Sequence, residues 1–253
     1  MNRLIKLFIS TLVLFGLSAG ILHAQKRTIA VMTPFLAQPG TQLMVEAFET
    51  AAKAKSWEVN VIDTSGDVAA LVSRMEDVSL QKVDAIVINV DPSQIKTGLL
   101  AAKDAGIPVF GMDSGNDPLL KANVTSNGYV MAAETATYVV DQLNGQGNVV
   151  MFIFEPYPPV QKRGAIAESI FNNSPDIKIL DKITPSFDKG PLEGSRNAME
   201  AFLNANPEKG SIQAVWAAWD DPGLGLGRWL EIRPGIPGIP GIPGIPGFLK
   251  VFC

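Results

Sequence analysis

The sequence predicts an α/β fold built as two doubly wound, parallel-sheet lobes in tandem, the second of them incomplete. From residue 28 onward, short runs rich in Val and Ile alternate with segments of helical period, the pattern of a parallel sheet covered by helices. The runs AIVINV (85–90), broken only by Asn89, and VVMFIF (149–154) are nearly continuous apolar stretches, as strands buried on both faces are. The alternation occurs twice, before and after a connecting stretch at 118–127, and yields two series of similar make-up.

The first series opens with a strand at 28–33, the turn PFLAQPG, and a helix at 41–55 whose Leu43, Ala47, Ala51 and Ala54 share one stripe. A strand at 59–62, a helix at 68–80, the strand at 85–90, a helix at 93–105 and a strand at 109–112 complete it. Gly106 suits the left-handed position after a helix, and Pro108 prevents continuation. The second series holds helices at 129–143, 161–171 and 195–203, with strands at 149–154, 178–183 and 212–219.

Composition narrows the chemistry. The 253 residues include one histidine, His23, and one cysteine, Cys253, each near an end of the chain. A Ser-His-Asp triad, a Cys-His pair, a multi-histidine zinc site and a disulfide framework all need residues that are absent from the body of the sequence. A net charge of −4 offers nothing to a nucleic acid, and neither cofactor nor metal is expected.

The ends differ from the body. Arg3 and Lys6 precede an uncharged, mostly apolar run at 7–22, followed by Leu22-His23-Ala24 and the polar Gln25-Lys26-Arg27. This reads as a secretory signal peptide at 1–24, with an uncleaved anchor as the alternative, and it implies a periplasmic, secreted location. Without disulfides, a secreted domain must rest on its hydrophobic core. At the other end, ten of the chain's 41 Gly and Pro residues lie in the run PGIPGIPGIPGIPG at 234–247. The expected organisation is a signal peptide at 1–24, an N-terminal lobe at 25–120, a partial C-terminal lobe at 121–225 and a low-complexity tail at 226–253.

In open α/β sheets, ligands bind outside the carboxyl ends of the strands. The residues there are Pro34, Phe35, Asp63, Asn89, Asp91, Asp113 and Ser114 in the first series. In the second they are Glu155, Tyr157, Arg163, Phe187, Asp188, Trp219, Asp220 and Asp221. Carboxylates, an amide, a guanidinium and flat rings suit a polyhydroxylated ligand, whose hydroxyls both donate and accept while its C–H face covers a ring. Asp91, before Pro92 and Ser93, also reads as a helix cap; Asp63 reads either way. Trp216 reads as core, and Trp219 as core or ligand contact. Arg163 near a helix start faces an unfavourable dipole, which points to a carboxylate or ligand partner.

Three segments in this order, VDAIVINVDPSQIKTGLLAAKDAGIPVFGMDS, QKRGAI and AVWAAWDDPGLG, resemble the periplasmic sugar-binding proteins of ABC transporters, of the ribose- and galactose-binding type. The resemblance covers about residues 28–225 and implies the type I periplasmic binding protein fold. Related effector domains occur in lactose-repressor-type transcription factors, but those carry a helix-turn-helix where this chain carries its N-terminal apolar segment. The resemblance implies a receptor whose two lobes close on a monosaccharide or polyol and deliver it to a membrane permease of an ABC transporter or to a chemoreceptor. Phe35 matches the aromatic of the first loop, Asp113 the acid after the fourth strand, Arg163 the arginine of the sixth helix start, Asp220 the late acid and Asn197 a polar contact of the second lobe. With Asn89, Ser114 and Trp219 these form the expected ligand-binding set. Ser114 stands where ribose-type members have arginine, and Trp219 where they often have asparagine.

Family members continue past the late acidic motif and return to the first lobe, whereas here GLGLGRWLEIRPGIPGIPGIPGIPGFLKVFC takes over. The expectation is a frameshift or truncation near Gly225, an exposed sheet edge in the second lobe and weak sugar binding. A rival from another class is a carboxylate-based glycoside hydrolase using Glu155, Asp220 and Asp221. A third reading is a sensory input module. GLGLG lacks the Gly-Lys of a phosphate loop.

Overall fold

The computed structural model describes residues 26–208, 211–232 and 250–252. The expected signal peptide with His23, the segment 233–249 and Cys253 lie outside the described residues. Two parallel sheets follow one another along the chain. The first contains β1 (Thr28–Thr33), β2 (Glu58–Asp63), β3 (Ala85–Ile88), β4 (Val109–Met112) and β5 (Leu120–Val124), in the order β2-β1-β3-β4-β5. The helices between them are α1 (Pro39–Ala54), α2 (Val68–Gln81) and α3 (Lys96–Asp104), the last entered through a 3-10 turn at Pro92–Ile95. The second sheet contains β6 (Gln146–Phe152), β7 (Asp176–Ile183), β8 (Ala214–Ala217) and β9 (Lys250–Phe252), in the order β7-β6-β8-β9. Its helices are α4 (Gly128–Gln142), α5 (Pro158–Asn172), α6 (Pro191–Ala205) and α7 (Asp220–Ile232).

Strand side chains alternate between faces, so each sheet supports two cores. In the first lobe Ala30, Met32, Ile86 and Ile88 meet Leu71 and Met75 of α2 and Leu99 and Ala102 of α3. The opposite residues Ile29, Val31, Ala85 and Val87 meet Val45 and Phe48 of α1. In the second lobe Val149, Met151, Ala214 and Trp216 pack with Ala136 and Val139 of α4 and Phe171 of α5. Val150, Phe152, Val215 and Ala217 pack with Met199 of α6 and Leu226 of α7. Trp216 is therefore core, its indole N–H donating to the Thr135 hydroxyl at 3.0 Å.

The differences from expectation have local causes. Helices α1, α5 and α6 begin at Pro39, Pro158 and Pro191, two to four residues before the sequence reading places them. Proline punctuates a chain, yet its missing N–H costs nothing in a helix's first turn. The stretch at 118–127, expected as a connection, contains β5, which pairs with β4 across a register shift between Val109 and Phe110. The first sheet therefore runs through residue 124, past the expected lobe boundary at 120.

Helix α7 crosses the expected boundary at 225 and continues to Ile232. An ideal Cβ on Gly225 would lie 2.5 Å from the Leu192 carbonyl oxygen, so a glycine here lets α7 approach α6 closely. The β8 edge, expected to be open, pairs with β9 at Ala214–Lys250, Val215–Val251 and Trp216–Phe252. The first lobe also carries exposed apolar surface. The α1 face of its sheet carries an open groove of about 920 Å³, bordered by Phe48, Trp57, Phe110, Met112 and Val124.

Candidate functional site

In both sheets the first strand is flanked by neighbours whose connections run over opposite faces. These switch points lie between β1 and β3 and between β6 and β8, and the loops leaving them splay apart. The carboxyl ends of the two sheets share a cleft of about 340 Å³. Phe35 and Asp113 of the first lobe, and Arg163, Trp219 and Asp220 of the second, line it. So do Gln38, Ser126, Phe154, Tyr157, Phe187 and Asp221.

Asp113 follows β4 with φ of 46°, a left-handed backbone that an aspartate tolerates better than most residues. Its N–H donates to the Val124 carbonyl at 2.7 Å, and its carboxylate accepts from the Thr125 hydroxyl at 2.6 Å. Arg163 lies in the second turn of α5, where its Nε donates to the Pro159 carbonyl at 3.2 Å. Gly128, at the start of α4, packs against its Cγ, with an ideal Cβ 3.2 Å away. One edge of the guanidinium is thus fixed by its own helix.

The second lobe supplies an aromatic wall. Phe154 and Phe187 lie 4.6 Å apart between centroids, and the Phe187 and Trp219 rings are nearly parallel, 4° apart in plane, with centroids at 6.4 Å. On the other side Phe35 meets Tyr157 edge-on at 5.5 Å. Flat rings lining the cleft beside charged groups present the surfaces that the C–H faces of a sugar cover. Asp220 and Asp221 open α7, where the helix dipole favours negative charge. Burial, then the neighbouring Asp220 charge, raise the Asp221 carboxyl above its ordinary value, against a hydrogen bond from Trp219.

Three expected site residues stand elsewhere. Asn89 is fully buried behind the cleft. Its Oδ1 accepts from the hydroxyls of Thr33 and Thr41 at 3.1 and 3.4 Å, and its Nδ2 donates to the Met112 carbonyl at 2.7 Å and the Tyr157 hydroxyl at 2.8 Å. Ser114 is also buried, its hydroxyl donating to the Val90 carbonyl at 2.6 Å. Both are spent on scaffold bonds. Asn197 is exposed and lines a separate cavity with Ser186, Asp188 and Lys189. Among the other strand-end acids, Asp91 caps the 3-10 turn through Ser93 N–H at 2.9 Å, and Asp63 accepts from Ser65 N–H at 3.1 Å. Tyr157, Phe187 and Asp221 belong to the cleft although the expected set omits them; each stands at a strand end in the sequence. Gln38 carries no such signal, because it precedes α1 by one residue at the end of a long turn.

Two parallel α/β lobes are thus joined so that the carboxyl ends of their strands share one cleft, lined by aromatic rings and charged groups. The chain belongs to the periplasmic binding protein domain family, whose model matches residues 29–249. It is 30% identical over 188 residues to the xylitol-binding protein of Mycolicibacterium smegmatis, covering 71% of this chain and 51% of that protein. It is 29% identical over 205 residues to the ribose import binding protein RbsB of Bacillus subtilis, covering 78% of this chain and 63% of that one. The chain thus spans between about half and two thirds of these relatives. Among solved structures, an ABC transporter solute-binding protein from Agrobacterium vitis with bound allitol superposes with a TM-score of 0.75 at 28% identity, over 82% of this chain and 72% of that one. These relatives are binding proteins, and the family to which they belong is periplasmic.

Proposed function

We propose that this chain is a secreted receptor that captures a monosaccharide or polyol between its lobes for an ABC-type importer, and performs no chemistry of its own. One observation carries the reading: charged and aromatic groups from both lobes converge on one cleft. Asp113 and Asp220 accept from ligand hydroxyls, Arg163 donates to them, and Phe35 and Trp219 cover the C–H faces. Contacts drawn from both lobes make closure the ligand-stabilised state, which is the form a permease or chemoreceptor reads. The ligands named for the relatives, xylitol, ribose and allitol, are of this chemical class. The N-terminal segment 1–24 serves as the export signal.

The hydrolase reading finds less support, because Glu155 is exposed and does not line the cleft, which leaves the adjacent pair Asp220 and Asp221 without a facing acid from that strand end. The expected impairment rested on missing C-terminal strands that would expose a sheet edge and apolar surface; of these, the β8 edge is paired with β9. Calorimetric titration of the full chain with ribose, xylitol, ribitol and allitol tests the proposal. One-to-one binding of at least one of them in the micromolar range is expected. No heat from any, or release of reducing sugar from an oligosaccharide, would overturn it.

A further inference from the structure

Tyr157 lines the cleft, yet its hydroxyl is already committed, and committed to the opposite lobe. The residue precedes α5 as its N-cap but makes no side-chain cap to that helix. Its O–H donates instead to the Asp113 carbonyl and accepts from Asn89 Nδ2 at 2.8 Å. Asn89 cannot follow a moving partner, because its side chain is fully buried and tied to Met112, Thr33 and Thr41. Burial, reinforced by the Asp113 charge, raises the Tyr157 phenol above its ordinary value, so it stays a neutral donor.

Its neighbours add to the seat. Gln94 Nε2 donates to the Pro156 carbonyl at 2.9 Å. An ideal Cβ on Gly115 would lie 3.1 Å from Pro158 and from Pro92 of its own lobe, so the backbone of the first lobe meets Pro158 at the start of α5 closely. Residues 156–158 of the second lobe therefore rest on the loops that follow β3 and β4. One hydroxyl joins two ligand-facing groups: it holds the carbonyl of Asp113, and it stands six residues before Arg163 on the chain that becomes α5.

We propose that Tyr157 is a positioning residue, a pivot that fixes the separation of Asp113 and Arg163 across the cleft while offering the ligand only its ring. Its effect on affinity rests on the receptor reading, whereas its effect on lobe geometry does not. Tyr157→Phe keeps the ring and its contact with Phe35 and removes only the hydroxyl. Spin labels at Leu80→Cys, 83% exposed in the first lobe, and at the exposed Lys178→Cys in the second, in a full chain carrying Cys253→Ser, report the lobe separation without ligand.

The parent is expected to give one narrow distance distribution, Tyr157→Phe a broadened one, and Gln94→Ala a narrow one, since that amide is exposed and peripheral. With ribose or xylitol, Tyr157→Phe is expected to bind about tenfold more weakly at unchanged stoichiometry, as loss of a buried hydrogen-bonded hydroxyl implies. Should Tyr157→Phe lose its far-ultraviolet circular dichroism, the Tyr157 hydroxyl proton of the parent is followed by NMR instead: slow exchange with water is expected of the cross-lobe bond, and exchange as fast as an exposed phenol's overturns the pivot. A distribution as narrow as the parent's overturns the pivot. If neither protein binds a sugar, the receptor reading fails, and the distance distribution still decides the pivot.

Discussion

Replacing Asn89 by Ala separates the scaffold beneath the cleft from the surface that meets the ligand. The side chain is fully buried, and its loss removes partners from the Met112 carbonyl, the Thr41 hydroxyl and the Tyr157 hydroxyl. The Thr33 hydroxyl is spared, because it also reaches the Asn89 carbonyl at 3.3 Å, and Tyr157 keeps Asp113 as its acceptor. Two buried groups are left poorly satisfied, at about 1–3 kcal/mol each. The expected loss is therefore about 2–6 kcal/mol, a large share of the ~5–15 kcal/mol that holds a typical domain together. Asn89→Asp keeps the acceptor and the shape but sets a carboxylate oxygen against the Met112 carbonyl, so it is expected to be at least as damaging. Urea unfolding followed by circular dichroism measures both. A loss below about 1 kcal/mol, accompanied by abolished ligand binding, would show that Asn89 meets the ligand directly and would refute the scaffold assignment.

Asp113→Asn is expected to weaken sugar or polyol binding about 10- to 100-fold with less than about 1 kcal/mol lost in stability, since asparagine also tolerates the left-handed backbone at this position; calorimetry paired with urea unfolding checks it. The Asp221 carboxyl, raised by burial and then by Asp220, is more protonated in the folded than in the unfolded chain just above the ordinary carboxylate range. Stability contributed there falls as pH rises from the unfolded value through the folded one, so Asp221→Asn is expected to be stabilising at neutral pH, with the gap closing below about pH 4; thermal unfolding across pH measures it. In α6, Gly194→Ala would place a Cβ 2.0 Å from the Ser186 carbonyl oxygen, and a loss of about 3 kcal/mol or more in urea unfolding is expected.

Much of the fold is legible because the buried strands are largely apolar runs and the helices repeat apolar residues at helical spacing, although α1 turns Val45, Phe48 and Ala52 inward and leaves the expected stripe of Leu43, Ala47, Ala51 and Ala54 exposed. The exceptions follow from context. β5, LKANV, alternates apolar and polar residues as a strand does, but over only five residues and at a sheet edge with most of its side chains exposed, so the signal is weak beside the buried apolar runs. α7 contains Gly223, Gly225 and Gly227, a poor helix sequence by propensity, and the close approach of Gly225 to Leu192 gives one of them a tertiary use. The site is legible to a similar depth. Position after a strand selects Phe35, Asp113, Arg163, Trp219 and Asp220, all of which line the cleft. It does not tell which polar group turns inward, and Asn89 and Ser114 turn into the scaffold because carbonyls of Met112 and Val90 need donors there. Tyr157 shows the reverse case, a residue at the cleft whose polar atom serves the opposite lobe.

A crystal structure of the full chain with the tightest-binding sugar or polyol tests the central claim most directly. The ligand is expected between Phe35 and Trp219, with its hydroxyls within hydrogen-bond distance of Asp113, Arg163 and Asp220. Ligand found only outside this cleft, or held by residues of one lobe alone, would contradict it.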